Sequence, residues 1–290
     1  MCSSDLIFTI GDFCFRLDCP DSFVIPDNFL KFQGGSDPVY NYTICYNSDF
    51  PSPEGRVVFS TNDIQVVQAS NLEYRYIGMP GHEQPHAYYK EVDDHSAQIC
   101  FRPDKSRFLT LDPFFCSLLA LERRQAELGA MILHCAYVEY EGEAILFSAP
   151  SETGKTTQAN LWERFRGAKT VNGDRGLLQK IHGRWTARGW PVCGSSGICN
   201  NRDLPIRAVV MLSQAPEDRV IQMTPANAFS KVYSQITVNR WNRKANLDIM
   251  DRIEDLIQSV PVYHLACTMN ESAVIALEEA LFPERYERNE

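Results

Sequence analysis

The sequence lacks any run of apolar residues long enough to cross a membrane. A spanning helix needs about 20 apolar residues, and no stretch here approaches 18. The first residues, MCSSDLIFTIGDF, include acidic side chains where a secretory signal peptide has basic ones. Internal repeats and low-complexity segments are also missing. These absences predict a cytoplasmic globular protein with no membrane partner.

Basic residues are too few for a polyanionic partner. The chain has 28 Lys and Arg against 37 Asp and Glu, which gives a formal net charge of −9 over 290 residues. A negative protein repels nucleic acids and anionic lipid surfaces. We therefore predict no nucleic-acid partner. Any phosphate-binding site must be a local concentration of positive charge on an acidic protein.

The ten cysteines form no pattern typical of a metal or disulfide site. No Cys-x-x-Cys occurs, and the absence of a secretion signal favours reduced, buried thiols. Cys193 and Cys199 are predicted to be buried and unreactive. His82 and His86 have a spacing that a metal could use, but a pair of loop histidines is more often exposed to solvent.

The N-terminal third reads as β structure. Between residues 5 and 101, short segments alternate polar and apolar residues or concentrate β-branched and aromatic ones, separated by Gly, Pro, Asn and Asp. Examples are Val39–Tyr46, Arg56–Ser60, Leu72–Ile77 and Ala97–Phe101. We predict a mostly-β domain over residues 1–108. No motif in this domain indicates a function. We expect the domain to recognise an acceptor or partner.

The rest of the chain, residues 109–290, mixes helices and strands. Asp112 and Pro113 are start signals for a helix that the periodicity extends over Phe114–Leu128. Two strands, Ile132–Tyr140 and Glu143–Ser148, are predicted to form a hairpin around Glu141-Gly142. Further strands are predicted at Lys169–Asn172, Gly176–Ile181, Arg184–Ala187, Ile206–Ser213 and Val262–Ala266, and further helices from Thr224 to about Ile236, over Leu247–Ser259 and from Asn270 to Leu281. This mixture predicts an α/β layer fold.

Residues 144–157, AILFSAPSETGKTT, are the most informative segment. An apolar run predicts a strand, small residues predict a turn, and Thr157–Phe165 can continue as a helix with one apolar face. Phosphate loops are built this way: main-chain N–H groups, a lysine and a hydroxyl hold a nucleoside triphosphate and its Mg²⁺. Gly-Lys-Ser/Thr alone occurs by chance in roughly one random chain of this length in seven. The alternative is an ordinary strand–turn–helix with an exposed lysine.

Three more segments contain residue types that phosphoryl transfer uses. His134 lies on the strand ILHC that precedes the loop, and Val171–Gly176 (VNGDRG) ends a strand with Asp174 and Arg175. Gly189–Ser195 (GWPVCGS) places glycines around a proline turn, which lets backbone approach a ligand closely. The plain alternatives are a satisfied core histidine and a turn-forming aspartate.

Together these motifs resemble the C-terminal domain of HPr serine kinase and the phosphoenolpyruvate carboxykinase-like nucleotide-binding fold. That family has a histidine-bearing strand, a hairpin, a loop resembling Gly-x-Ser-Gly-x-Gly-Lys-Ser/Thr and a later strand end with an aspartate. Residues 153–157 look like the carboxykinase form of the loop, and residues 189–194 resemble a Gly-Thr-Pro-Trp-x-Gly segment of kinase-like relatives. The resemblance covers about residues 129–282.

The resemblance implies roles for particular residues. His134, Lys155 and Asp174 would be catalytic, and Thr156 and Asp174 would hold Mg²⁺. ATP or GTP would contact Ser151, Glu152, Thr153, Gly154, Lys155, Thr156, Thr157 and Arg175. Such relatives often belong to pathways that modify ribosomally made peptides.

Three departures from the family pattern bear on these roles. Ala149 and Glu152 replace glycines of the loop, and Glu152 sets a carboxylate beside the expected phosphates. If position 152 needs a positive φ, a non-glycine residue costs about 1 kcal/mol or more there. Asp174-Arg175 stands where the family commonly has two acids, so one carboxylate must bind magnesium, act as base, or do both.

The leading functional hypothesis is an ATP-dependent kinase that phosphorylates a Ser or Thr hydroxyl of a peptide or small protein. A second hypothesis is a non-catalytic nucleotide-binding accessory protein, which the altered loop favours. A third is a small-molecule kinase or an ordinary P-loop ATPase, although Ile206–Ser213 carries no acid at the position such enzymes use. A homo-oligomer is compatible with all three.

Overall fold

A computed structural model describes residues 3–52, 55–78, 81 and 84–285. The chain forms two compact units. Unit 1 comprises Met1–Leu128 together with the short segment Asn239–Arg243, and unit 2 comprises Gly129–Val238 and Lys244–Glu290. Within the described ranges, no helix is long and apolar enough to cross a membrane.

Unit 1 is built on a sheet to which the described residues contribute eight strands. They are β1 (Ser3–Ile10), β2 (Phe13–Pro20), β3 (Tyr40–Tyr46), β4 (Arg56–Ser60), β5 (Ile64–Ala69), β6 (Leu72–Ile77), β7 (Ala87–Asp93) and β8 (Ser96–Phe101). Their order is β1-β2-β3-β8-β7-β6-β5-β4. β3 is parallel to both of its neighbours and the other pairs are antiparallel. The predicted period-two segments all lie on these strands.

The helices of unit 1 are short: α1 (Asp27–Leu30), a 3₁₀ helix (Pro103–Thr110), α2 (Asp112–Leu118) and α3 (Leu121–Glu127). The single helix predicted over Phe114–Leu128 is therefore wrong in one respect, because it is two helices. Ala120 adopts a left-handed conformation with φ of 49° and breaks it. The Tyr42 hydroxyl donates to the Leu119 carbonyl at 2.7 Å, so the backbone group left over at the break is satisfied.

A cluster of buried charges lies between the sheet and α3. Arg75 is 1% exposed and is paired with Glu73 and Glu122, in each case at 2.6 Å. Arg124 is paired with Glu91, which is also buried. The segment Asn239–Arg243 joins the cluster through Trp241, whose indole N–H donates to Glu73 at 2.7 Å. Buried ions need such partners because each loses its hydration.

Of the two histidines expected to be exposed to solvent, His82 lies outside the described residues. His86 is fully buried and its ring stacks on that of Phe108, with centroids 4.6 Å apart. The expectation of an exposed loop is therefore wrong for His86.

Unit 2 has a second sheet, again with eight strands in the described part of the chain. They are β9 (Met131–Tyr140), β10 (Glu143–Ser148), β11 (Lys169–Asn172), β12 (Arg175–Ile181), β13 (Arg184–Arg188), β14 (Leu204–Gln214), β15 (Arg219–Gln222) and β16 (Val262–Cys267). The helices are α4 (Lys155–Arg166), α5 (Pro225–Tyr233), α6 (Arg243–Ser259) and α7 (Glu271–Leu281), with 3₁₀ turns at Gly194–Ser196 and Pro283–Arg285. The whole molecule is thus a mixed α/β protein with two large sheets.

The sheet of unit 2 closes on itself around β10. β10 pairs antiparallel with β9 and parallel with β14, and the path from β9 through β12 and β13 returns to β14. β14 also pairs parallel with β16. The carboxyl ends of the three parallel strands β10, β14 and β16 therefore lie at one edge of the sheet, and the segment that follows β10 begins there.

Both faces of β10 are buried. Ala144 and Leu146 belong to one core, with α5 and α6, whereas Ile145 and Phe147 belong to a second core, with α4 and α7. A strand covered on both faces is apolar throughout. For this reason the apolar run Ile145–Phe147 correctly predicted a strand. The segment after it leaves this double core at the carboxyl edge.

Candidate phosphate-binding site

The segment after β10 forms a tight turn that ends at the first residue of α4. Ser148 is the last strand residue, and Lys155 begins the helix. Glu152 has φ of 65° and Gly154 has φ of 115°, so two positions of the turn are left-handed. The second suits glycine, whereas the first strains a glutamate. Glu152 is exposed, so its carboxylate does not fill the turn.

Lys155 lies beneath this turn with 8% of its surface exposed. Its ammonium donates to the carbonyls of Ala149 at 3.0 Å and Pro150 at 3.2 Å. Burial lowers the pKa of Lys155 below its ordinary value, and the nearby Asp174 carboxylate opposes this shift. Lys155 is therefore not exposed, as it would be in an ordinary strand–turn–helix without a binding site.

Helix α4 holds the turn because its inner side is packed. Ala159 and Trp162 are fully buried against the second core. Gln158, one turn after Lys155, is buried and donates to the Thr268 carbonyl at 3.3 Å. Gly167 ends the helix with φ of 66°, as a C-terminal glycine commonly does. The helix start, with its unpaired N–H groups, is thereby fixed at the carboxyl edge of β10.

His134 and Asp174 form a pair beside this edge. The His134 Nε2 and Asp174 Oδ1 atoms are 3.3 Å apart, and about a quarter of each side chain is exposed. The hydrogen bond from His134 lowers the pKa of Asp174, and Arg175 adds to the effect although burial opposes it. The structure therefore places His134 beside Asp174, and the Asp174 charge acts on the pKa of Lys155.

Asp174 reaches this place because a β ladder is interrupted. β11 and β12 follow one another along β9, with Asn172 opposite Tyr137 and Arg175 opposite His134. The register shifts just before Asn172, and the Asp174 carbonyl accepts from the Cys135 N–H at 2.9 Å. Such bulges turn a side chain out of its regular direction.

Asn172 is a site residue that the sequence did not single out. It is fully buried, and its side-chain oxygen accepts from the N–H groups of Asp174 and Arg175, both at 2.9 Å. Its amide nitrogen donates to the carbonyls of Trp190 at 2.8 Å and Val192 at 3.0 Å. An Asn before Gly-Asp is typical of an ordinary turn. The sequence therefore contained no sign that the Asn172 side chain joins two segments of the site.

Arg175 points across the site. Its Nε donates to Asp174 at 3.2 Å and its Nη1 donates to the Thr237 hydroxyl at 3.1 Å. The Ser148 hydroxyl, at the end of β10, donates to the His134 carbonyl at 2.8 Å. Thr237 and Ser148 are two further residues of the site that the sequence did not indicate, since an isolated hydroxyl residue carries no pattern.

The other expected nucleotide contacts lie on the turn itself. Ser151 and Thr156 are exposed, while Thr153, Gly154 and Thr157 are half-buried. The predicted unreactive thiols, Cys193 and Cys199, are both buried.

The oxygen groups around the turn bear on which ions it could hold. Among the described residues, no three His, Cys, Asp or Glu side chains converge to hold a metal ion. Mg²⁺ commonly takes one or two oxygen ligands from the protein and completes its shell with phosphate and water. The Thr156 hydroxyl and the Asp174 carboxylate are ligands of that chemical type.

The fold is that of a mixed α/β protein with two large sheets, and the candidate site lies on a strand–turn–helix. Residues 99–281 match the model of the ScmC family, described as SynChlorMet cassette protein ScmC. The match covers well over half of the chain, so the protein belongs to the ScmC family. No curated protein matches it.

Among solved structures, the chain is similar to the HPr(Ser) kinase/phosphatase from Coxiella burnetii, with 12% sequence identity and a TM-score of 0.31. The similarity covers 55% of this chain and 92% of that one.

Proposed function

We propose that the protein binds a magnesium nucleoside triphosphate, ATP or GTP, at the turn between β10 and α4 and transfers its γ-phosphate to a hydroxyl. The observation that supports this most is the buried ammonium of Lys155 at the start of α4, which donates to the carbonyls of Ala149 and Pro150 within the turn. A buried cation under a helix N-terminus is an anion site on an otherwise acidic protein.

The residues at hand match what phosphoryl transfer requires. The reaction needs neutralisation of the moving group and an aligned acceptor, and little covalent work from the protein. Lys155 and the N–H groups at the start of α4 would hold the phosphates. Thr156 and Asp174 would hold Mg²⁺, which when bound neutralises phosphate charge.

The lowered pKa of Asp174 favours one of its two expected roles. A carboxyl held in its ionised form is a weak base and a good metal ligand. We therefore assign Asp174 to magnesium and to the orientation of His134. Because Nε2 faces Asp174, the other ring nitrogen of His134, Nδ1, is the atom that would hold or release a proton beside the acceptor. Arg175 would add positive charge near the transferred phosphate.

The acceptor we propose is a Ser or Thr hydroxyl of a peptide or small protein. The family description names its members as proteins of a cassette, which agrees with a role beside other enzymes that act on one product. Unit 1, with its separate sheet, would recognise this acceptor.

Lys155→Ala tests the proposal. We expect transfer of labelled γ-phosphate to fall by at least about a hundredfold, because the variant loses the charge that binds and stabilises the phosphates. Lys169→Ala is the matched control, since Lys169 is exposed and lies on β11 away from the turn. Circular dichroism checks that both variants fold. Undiminished transfer by Lys155→Ala contradicts the proposal.

A second candidate function is nucleotide binding without transfer. Two observations favour it: the strained Glu152 in the turn and the engagement of the lone Asp174 carboxylate by Arg175. Calorimetry with ATP·Mg²⁺ separates the two functions. Binding without turnover across serine and threonine peptides supports the accessory role, and the absence of binding argues against both.

A further inference from the structure

The segment Trp190–Ser196, here called the strap, lies directly against the turn that carries Asp174. Its first and third residues accept the two hydrogen bonds from the Asn172 amide nitrogen. Further along, the Ile198 carbonyl accepts from the Gly173 N–H at 3.3 Å, and Ile198 donates back to Ser196 Oγ at 3.2 Å. The strap and the turn are therefore joined through several independent contacts.

Asn172 ties the strap to Asp174 through one side chain. Its oxygen fixes the N–H of Asp174 while its nitrogen fixes the strap, and the residue is wholly buried. A displacement of the strap must therefore move the amide or break its hydrogen bonds. Either event would displace the Asp174 backbone, because the amide nitrogen of Asn172 donates to the strap while its oxygen accepts from the Asp174 N–H.

Two glycines make the close approach possible. A Cβ at Gly173 would lie 2.0 Å from Ser196 Oγ, so the turn can pass the strap only without a side chain there. A Cβ at Gly194 would lie 3.0 Å from Asp174 Cβ and 3.2 Å from its Oδ1. The backbone of the strap thus forms one wall of the space around the Asp174 carboxylate.

We propose that the strap positions the Asp174 carboxylate, through the buried amide of Asn172 and the absent side chain at Gly194. The inference rests on the proposed function, in which Asp174 serves the phosphoryl-transfer site. It assigns Asn172 and Gly194 as positioning residues and not as catalytic ones. Neither lies on the turn between β10 and α4, so any effect on nucleotide binding must come through the Mg²⁺ that Asp174 would hold.

Gly194→Ala and Gly197→Ala form a matched pair that tests this assignment. Both glycines are exposed and left-handed, with φ of 58° and 67°, so both variants carry the same backbone strain. Only at position 194 would the new methyl group touch anything within 4 Å. We expect Gly194→Ala to lower kcat by about 10- to 100-fold, as a displacement of about 1 Å can do. ATP·Mg²⁺ affinity should fall in Gly194→Ala as well, because Asp174 would hold the Mg²⁺, and Gly197→Ala should keep both its kcat and its affinity.

The backbone amide signals of Asp174 and Arg175 in ¹H–¹⁵N NMR supply a readout that does not need activity. In Gly194→Ala both signals should shift, because the new methyl group displaces Asp174, and both N–H groups donate to the Asn172 side-chain oxygen. Unchanged amide signals together with an unchanged kcat overturn the assignment. If the wild type binds no nucleotide, the proposed function fails, and the amide signals still decide whether the strap positions Asp174.

A second pair of variants tests the contact at Gly173. Gly173→Ala should shift the amide signals of Asp174 and Arg175, and Ser196→Gly in the same chain should restore them, because it removes the Oγ and Cβ atoms that the new methyl would meet. Ser196→Gly alone serves as the control for the hydrogen bond that Ser196 makes to the Cys193 carbonyl at 2.6 Å. Failure of the double variant to recover any of these amide signals contradicts the proposed contact.

Discussion

At the scale of single residues, Glu152 is where the turn after β10 carries strain. A non-glycine residue in the left-handed region costs about 1 kcal/mol, and a carboxylate near a helix N-terminus that binds phosphate opposes the ligand. We expect Glu152→Gly to raise the free energy of unfolding by up to about 1 kcal/mol and to tighten ATP·Mg²⁺ binding by up to about fivefold. Urea unfolding and calorimetry measure the two effects.

His182→Gly separates strain from charge in this experiment. His182 is exposed and left-handed, with φ of 47°, but it lies in the hairpin between β12 and β13. Its replacement should stabilise the fold and leave nucleotide affinity unchanged. If Glu152→Gly weakens binding, the carboxylate helps to hold the ligand and our interpretation of position 152 is wrong.

The pair of His134 and Asp174 predicts a specific pH dependence. Asp174 has a lowered pKa in the folded protein, chiefly through the hydrogen bond from His134. Its stabilising contribution is therefore present above the ordinary aspartate value of 3.8 and is lost as the pH falls through the lower folded value. In His134→Ala we expect the pKa of Asp174 to rise and the stability advantage above pH 3.8 to shrink.

Carboxyl titration by ¹³C NMR measures this change, with Asp255 as an internal reference. The pKa of Asp255 is lowered mainly by Lys180 and owes nothing to His134. A shift of Asp174 alone supports the pair, whereas an unmoved Asp174 shows that His134 does not hold it.

At the scale of elements, the break between α2 and α3 depends on the hydrogen bond that Tyr42 makes. Leu119 is fully buried, so without the phenol its carbonyl loses a partner. An unsatisfied buried acceptor costs about 1–3 kcal/mol, and Tyr42→Phe should lower the free energy of unfolding by that amount in urea titrations. Tyr46→Phe, which removes a more exposed hydrogen bond to the Ser22 carbonyl at 3.1 Å, should cost less than about 1 kcal/mol. Equal losses would show that burial of the acceptor is not the cause.

The local sequence pattern correctly predicted the elements whose ends carry strong turn-forming residues. Glu141-Gly142 and the strands on either side agree with the structure because a two-residue turn fixes the register of a hairpin. The break at Ala120 and the edge strand β15 were missed, since alanine gives no turn signal and Arg219–Gln222 is too short to show a period. The sequence placed the domain boundary after residue 108, whereas the contacts divide the chain after Leu128, because α2 and α3 pack on the first sheet.

In the candidate site, too, the sequence indicated some residues and missed others. Lys155 and Asp174 stood out because their residue types and spacing are typical of phosphoryl transfer, and the structure places Lys155 under the turn and Asp174 beside His134. Asn172 did not, because its role comes from four hydrogen bonds to residues up to 20 positions away. Such long-range partners leave no periodicity for a single sequence to reveal.

At the scale of the whole molecule, the two units differ in what their centres contain. The centre of unit 1 includes the buried charges around Glu73, whose pKa burial alone would raise but which Arg75 and Arg123 hold below its ordinary value. We expect Glu73→Gln to cost about 3–5 kcal/mol, because it leaves buried guanidinium groups without their counter-charge. Urea unfolding followed by tryptophan fluorescence measures this, since Trp241 is bonded to Glu73.

Glu127→Gln is the control, because Glu127 pairs with Arg123 and Arg124 but half of its side chain is exposed. It should cost less than about 1 kcal/mol. The Glu73 contribution should be present above the ordinary glutamate value of 4.5 and disappear as the pH falls through the lower folded value. Similar losses for both variants would mean that burial does not set the energy of these pairs.

The membership of Asn239–Arg243 in unit 1 has a consequence for inheritance. The polypeptide passes from one unit to the other after residues 128, 238 and 243. Dividing the chain at one position therefore cannot give two fragments that each contain a complete unit. A gene fusion that brought a new N-terminal half would arrive without Trp241 and its bond to Glu73. The two halves are therefore expected to have diverged together, and recombination between distant relatives should succeed only when the five-residue loop travels with its own sheet.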